Sequence, residues 1–296
     1  MNMQSFFLSY KTSRIHYLLG GTGDKLLVCL HGYGESAGSF AFLEESLGKD
    51  FTILAIDLPF HGKTDWQEGL SFDPQVLISL IGQIAAGRPG YPLTTHRQTS
   101  EATAIPAASP GILGDSGWWV MGYSMGGRVA LSLLEKIPEK VEKLILLAPD
   151  GLKVNIWYWL TTQTRVGNTF FRWTMRRPGW FFLLLRVGNA LNLVNRSVYK
   201  FTLHHIDQAA ARSDLYIRWT TLRAFRPDIR AIRALVRERK IPVRILYGQH
   251  DRIILSKRGE KFRKGIEPWC RLTVLPVGHQ LLQARNLEAI LGLLKD

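Results

Sequence analysis

Cysteine is scarce: two in 296 residues, too few for a disulfide framework, and Cys29 falls inside an apolar run where a buried free thiol is the ordinary outcome. Long hydrophobic runs are missing as well. The longest candidate, residues 180–185, stops at Arg186, far short of the ~18 apolar residues a membrane-spanning helix requires. The opening residues Met1-Asn2-Met3-Gln4-Ser5-Phe6-Phe7 carry neither a charged leader nor an extended apolar segment of the secretory kind, so a cytoplasmic chain is expected. There is no internal repeat. Spacing for a metal site is absent too: His204 and His205 are adjacent beside Asp207, and neighbouring histidines on a helix point in different directions. Neither a metal nor an organic cofactor is expected. With no recognisable nucleic-acid module, nucleic acid ranks last among partners despite the net charge of +14.

What is present is alternation. Apolar runs of strand length recur at residues 26–30, 51–56, 118–123, 144–148, 243–248 and 272–275, after a leading pair at 6–9 and 15–19 that reads as antiparallel. Helical patterning occupies 73–86, 126–137, 256–264 and 281–294. Such β-α alternation predicts an α/β fold: a mainly parallel twisted sheet covered by helices on both faces. Two stretches break the pattern. Residues 87–117 are rich in Pro, Thr, Ser, Ala and Gly where a short connection is the norm, and read as a flexible surface insertion without chemistry. Residues 151–240 hold 17 Lys/Arg against 4 Asp/Glu, leaving the rest of the chain nearly neutral, together with 14 of the 32 aromatics.

Gly122-Tyr123-Ser124-Met125-Gly126 stands between a strand and a helix. In that setting a G-x-S-x-G run describes a turn sharp enough to hold the serine hydroxyl above the sheet, with glycines where side chains would collide with neighbouring backbone. Ser124 is the candidate nucleophile. A serine needs a base, and the base needs an orienting acid. Asp251 follows the strand at 243–248 and His279 follows the strand at 272–275, in the order acid then histidine that this architecture demands. The candidate catalytic triad is therefore Ser124, Asp251 and His279. The early strand runs into His31-Gly32-Tyr33-Gly34, which assigns the oxyanion-hole N–H donors to Tyr33 and Met125. His31 itself reads as a brace for that loop. His250 is expected to face away from the triad.

These pieces, with Asp57-Leu58-Pro59-Phe60-His61-Gly62 and Gly278-His279, resemble the α/β-hydrolase superfamily over nearly the whole chain. The resemblance implies a core from 1–150 and 241–296 with residues 151–240 inserted as a helical cap. It implies a loop at Asp57 that braces the site, and Asp150 as a reserve position for the acid. A serine nucleophile separates the chain from the branches that use a carboxylate. The elbow extended to Arg128 is similar to that of the menaquinone-pathway lyases that make 2-succinyl-6-hydroxy-2,4-cyclohexadiene-1-carboxylate, which implies that Arg128 contacts a substrate carboxylate; the opposing reading of Arg128 is a salt bridge or a helix-surface cation.

The function expected is hydrolysis of carboxylic esters through an acyl-enzyme, with moderately hydrophobic substrate parts resting on cap aromatics such as Trp157 and Trp159. Alternatives are a lyase or carbon–carbon hydrolase acting on an anionic substrate through the same triad, a membrane-surface lipase, and a non-catalytic ligand-binding protein on the same fold. The basic aromatic segment admits three uses: arginines that hold an anionic substrate, a surface that settles on anionic lipid, or a small aromatic core with a solubilising arginine exterior.

Overall fold

A computed structural model of the chain describes residues 3–87, 117–153, 155–191 and 208–295. Among the described residues, eight strands form one sheet: β1 (Gln4–Tyr10), β2 (Ser13–Gly20), β3 (Lys25–Leu30), β4 (Phe51–Ile56), β5 (Trp118–Tyr123), β6 (Val141–Leu147), β7 (Val243–Gly248) and β8 (Cys270–Leu275). They lie in the order β1-β2-β4-β3-β5-β6-β7-β8. β1 and β2 pair antiparallel, β2 meets β4 antiparallel, and every later pairing is parallel.

The central strands are apolar on both faces because helices cover both. β4 and β7 are buried at every residue, whereas β1 at one edge is mostly exposed. The helices of this layer are α1 (Pro74–Ala86) and α2 (Met125–Lys136). Asp73 starts α1 by accepting from the amides of Gln75 and Val76, with Pro74 at the first helical position. Both cysteines, Cys29 and Cys270, are buried free thiols, and burial pushes Cys270 up to about 12.

The chain forms two compact units. The first comprises Met1–Glu68, Asp73–Lys153 and Phe225–Asp296; the second comprises Gly69–Phe72 and Val154–Ala224. The second unit contains α3 (Ile156–Gln163), α4 (Arg165–Arg176), α5 (Gly179–Ala190) and α6 (Ala209–Thr221). Phe171 and Met175 of α4 form its small core with Leu215, Tyr216 and Trp219 of α6. The short segment Gly69–Phe72 joins it through the Phe72 amide, which donates to the Thr221 carbonyl at 3.2 Å.

The inserted segment ends earlier than the sequence pattern suggested. α7 (Ile229–Arg239) lies in the first unit, with Ile232 and Val236 buried. Asp228 caps it, and the Asp228 amide donates to Glu135 of α2 at 3.0 Å. Basic residues on the exposed face of α7 thus made the segment look continuous in composition. The stretch 154–224 keeps 10 Lys/Arg against 2 Asp/Glu.

Two further helices of the first unit are α8 (Lys257–Arg263) and α9 (Leu287–Lys295). α9 starts six residues later than the pattern at 281–294 implied. Leu281 and Leu282 are buried in the irregular segment after His279, and Asn286 fastens that segment by donating its side-chain amide to the Leu281 carbonyl at 2.9 Å. The expected insertion at 87–117 lies, but for its end residues, outside the described residues, as do His204, His205 and Asp207.

Candidate active site

Three strands of the first unit deliver the site from their C-terminal ends. β5 runs directly into α2 through Ser124, whose backbone is forced to φ 51° and ψ −114°. The neighbouring backbone leaves no alternative to glycine on either side: a Cβ at Gly126 would meet the Leu30 carbonyl, and one at Gly122 would meet the Gly126 carbonyl. The strained residue is pinned from several directions. Its amide donates to Leu147 at 2.9 Å, and its carbonyl accepts from Gly127 and Asp150, each at 2.9 Å.

Ser124 Oγ lies 3.1 Å from His279 Nε2, and His279 Nδ1 lies 2.7 Å from Asp251 Oδ2. An ionised Asp251 fixes the imidazole proton on Nδ1, which leaves Nε2 as acceptor for the serine hydroxyl. The other oxygen of Asp251 accepts from the amides of Ile253 at 2.7 Å and Ile254 at 2.9 Å. Burial alone would raise this carboxyl, but the hydrogen bonds from His279 and the two amides outweigh it and hold Asp251 below the ordinary aspartate value.

The loop after β3 stands beside the nucleophile. A Cβ at Gly32 would sit 3.1 Å from the Tyr123 ring and 3.4 Å from Ser124 Cβ. Tyr33 follows on this loop, and Met125 is the first residue of α2, where helical amides have no acceptor within their own helix. His31 braces the loop: its Nε2 accepts from the Leu58 amide at 3.0 Å, and Nδ1 meets the Gly32 carbonyl at 2.8 Å.

Asp57 is a larger brace than the sequence revealed. Its Oδ1 accepts from the Ala37 amide at 2.6 Å; Oδ2 accepts from the Lys63 amide at 2.8 Å and meets His16 Nδ1 at 2.6 Å. His16 Nε2 in turn lies 2.8 Å from Ser5 Oγ. This second Ser-His-Asp series repeats the residue types of the first. Ser5, however, sits within the extended strand β1 with no turn into a helix behind it, so the arrangement serves to tie β1, β2 and the Asp57 loop together.

Two side chains near His279 carried no sequence signal. Tyr123 donates its hydroxyl to the His279 carbonyl at 3.1 Å, and its ring centroid lies 5.5 Å from the imidazole. Glu35 interacts electrostatically with His279. Burial pushes its carboxyl above the usual carboxylate range, against hydrogen bonds from Ser39 and the Gly32 backbone and the attraction of the histidine.

The candidate substrate contacts are divided between the two units. Arg128 is buried and pairs through Nη2 with Asp150 Oδ2 at 2.9 Å, so Asp150 serves Arg128 and the elbow rather than His279. Trp157 and Trp159 belong to the second unit, where they are 71% and 39% exposed on α3. His250 is exposed.

Residues 25–269 match the family described as alpha/beta hydrolase fold. The chain belongs to that family. Among curated relatives, it is 28% identical over 128 residues to a pimeloyl-[acyl-carrier protein] methyl ester esterase of Salmonella newport, covering 43% of this chain and 38% of that protein. It is 27% identical over 138 residues to the dihydrolipoyllysine-residue acetyltransferase component of the acetoin cleaving system of Cupriavidus necator, covering 47% and 30%. The matches thus span well under half the length of these relatives. Among solved structures, a probable hydrolytic enzyme from Pseudomonas aeruginosa PAO1 superposes with a TM-score of 0.63 at 17% identity, over 99% of this chain and 94% of the other. A thioesterase domain from the curacin biosynthetic pathway superposes at 0.62 and 14% identity, over 99% of both chains. At these identities the superpositions speak for the α/β-hydrolase fold.

Proposed function

We propose that the chain is a serine hydrolase acting on carboxylic esters, and that Ser124, His279 and Asp251 are its catalytic triad. The observation that carries this reading is the unbroken series Ser124 Oγ, His279 Nε2, His279 Nδ1 and Asp251 Oδ2, with contacts of 3.1 and 2.7 Å at a strained strand-to-helix turn.

In the acylation step Ser124 Oγ attacks the ester carbonyl carbon while His279 Nε2 takes the hydroxyl proton. Asp251 holds the resulting imidazolium in position. The carbonyl oxygen becomes an oxyanion, received by the amides of Tyr33 and Met125. When the tetrahedral intermediate collapses, the alcohol leaves with the proton from His279 and the acyl group stays on Ser124. Water, deprotonated by His279, then attacks the acyl-enzyme and releases the carboxylic acid. The esterase and thioesterase among the similar proteins support acyl transfer as the reaction class.

The competing reading, a lyase or carbon–carbon hydrolase for an anionic substrate, leans on Arg128 as a carboxylate contact. The ion pair between Arg128 and Asp150 already occupies that guanidinium, which favours the ester reading. The test is turnover of a panel of p-nitrophenyl esters, from acetate to long-chain acyl, by wild type and Ser124→Ala. Turnover that disappears in the variant supports the serine hydrolase, and the chain-length profile defines the acyl preference. A protein that labels at Ser124 with a fluorophosphonate yet turns over no ester belongs to the lyase reading. Failure to label at Ser124 at neutral pH would leave a non-catalytic binding protein.

A further inference from the structure

The second unit displays an apolar surface that its own core does not use. Eleven of the sixteen exposed large apolar side chains among the described residues lie between 156 and 191. α4 has two apolar faces. Phe171 and Met175 turn inward to Tyr216 and Trp219, while Val166, Phe170 and Trp173, spaced i, i+4, i+7, form an exposed stripe. α5 buries no residue at all, and its Leu184 and Val187 with the following Leu191, spaced i, i+3, i+7, form a second helical stripe, each exposed. The two stripes join through rings: Phe170 lies 5.1 Å and Trp173 6.0 Å from Trp180 at the start of α5. Helical patterning that would normally bury a face leaves it outward on both helices.

Charge surrounds this patch with one sign only. Arg165, Arg172, Arg176, Arg177 and Arg186 are exposed along the two helices, and the sequence has no Asp or Glu from residue 151 to 206. A surface meant only to stay soluble would interleave both signs. Arginines beside exposed tryptophan, phenylalanine and leucine instead match the interface of an anionic bilayer. There the guanidinium groups meet headgroup phosphates and the rings and aliphatic chains enter the acyl boundary. No helix among the described residues is long and apolar enough to cross a membrane, which fits helices lying in the interface plane. Nucleic acid would use the arginines but leave the apolar stripes in water.

We propose that α4 and α5 form a docking face for an anionic lipid bilayer. The proposal is independent of the hydrolytic reading, because none of these residues belongs to the triad, its loops or its braces.

Co-sedimentation of the full chain with phosphatidylcholine vesicles, with and without about a third of phosphatidylglycerol, tests it. Binding is expected to the anionic vesicles alone at low salt, falling steeply as salt screens the arginines. Val166→Asp and Leu184→Asp change strongly exposed positions and leave the aromatic contacts intact, so the fold is retained, as circular dichroism and an unaltered thermal melt would verify. Each is expected to weaken vesicle binding on the order of tenfold, as is Arg172→Glu, since one basic residue at an anionic surface is worth roughly fivefold. Absence of binding at low salt overturns the proposal. Equal binding to neutral vesicles, unaffected by Arg172→Glu, overturns its charge component. Self-association in solution that the same variants abolish, without vesicle binding, would assign the face to a second copy of the chain instead.

Discussion

Tyr123, the residue before the candidate nucleophile, holds the backbone of the candidate base: its hydroxyl donates to the His279 carbonyl at 3.1 Å across 156 residues of sequence. The strand that carries the serine therefore also fixes the loop that carries the histidine. Burial pushes the Tyr123 phenol well above its ordinary value, with the nearby carboxylates of Glu35 and Asp251 adding to the rise, so it remains a donor throughout the working pH range. Tyr123→Phe removes one hydrogen bond, worth about 1 kcal/mol of stability. If it also loosens the histidine, kcat should fall by roughly five- to tenfold with KM nearly constant, because alignment in the transition state suffers more than substrate binding. Steady-state kinetics on a soluble p-nitrophenyl ester read this directly; an unchanged kcat would make the contact purely structural.

Glu35 yields a prediction about stability. One carboxylate oxygen, Oε2, is buried without a hydrogen-bond partner among the described residues, and burial raises the group's pKa. The folded chain thus holds this proton more tightly than the unfolded chain does. Its contribution is most favourable at acidic pH and is lost as pH rises from the ordinary glutamate value through the raised folded value. Glu35→Gln, which stays neutral, is expected to melt a few degrees above wild type at pH 7 to 8, with the gap closing toward pH 4. Thermal melts across that range check the sign. A variant less stable than wild type at pH 8 would mean that the ionised form is favourably paired.

Asp251 behaves in the opposite sense. Its carboxyl is held below the usual value, so the stability it contributes is present above the ordinary aspartate pKa and is lost only as pH falls through the lowered folded value. The acid limb of activity is then not set by Asp251, which is already ionised there. Asp251→Asn keeps the shape but offers an amide donor or a weaker acceptor to His279 Nδ1, favouring the wrong tautomer. A loss in kcat on the order of 10⁴ is expected, by the logic of such triads. A loss below about tenfold would show that His279 is oriented by other groups.

Much of this site is legible in the sequence because each candidate group follows a strand. Apolar runs give the strands, and Ser124, Asp251 and His279 are what stands just beyond three of them. The elbow glycines are legible because backbone crowding admits no other residue. What the sequence conceals are contacts made by tertiary proximity. Tyr123 reads as one more strand aromatic, and Glu35 as a loop carboxylate, until the sheet brings them to His279. The boundary of the second unit is concealed for a different reason. The arginines of α7 resemble those of the preceding segment in composition, and only the burial of Ile232 and Val236 assigns the helix to the first unit.

Arg128 separates the two readings of the chemistry. Its guanidinium is buried against Asp150, whose amide donates to the Ser124 carbonyl, so the pair supports the elbow from below. Removing the arginine leaves Asp150 without its cation and opens a gap beside α2; a loss of about 2 kcal/mol is expected for Arg128→Ala. Asp150→Ala leaves the buried guanidinium uncompensated and should cost a similar amount. If the two residues act on each other, the double variant loses less than the sum of the singles by roughly 1 kcal/mol or more, as denaturant unfolding of all four proteins would measure. Turnover should then fall equally for neutral and carboxylate-bearing esters in Arg128→Ala, tracking the loosened elbow. A loss confined to carboxylate-bearing substrates, with no coupling to Asp150, would instead mean that the guanidinium leaves its partner to hold an anionic substrate, and the lyase reading would gain the observation it now lacks.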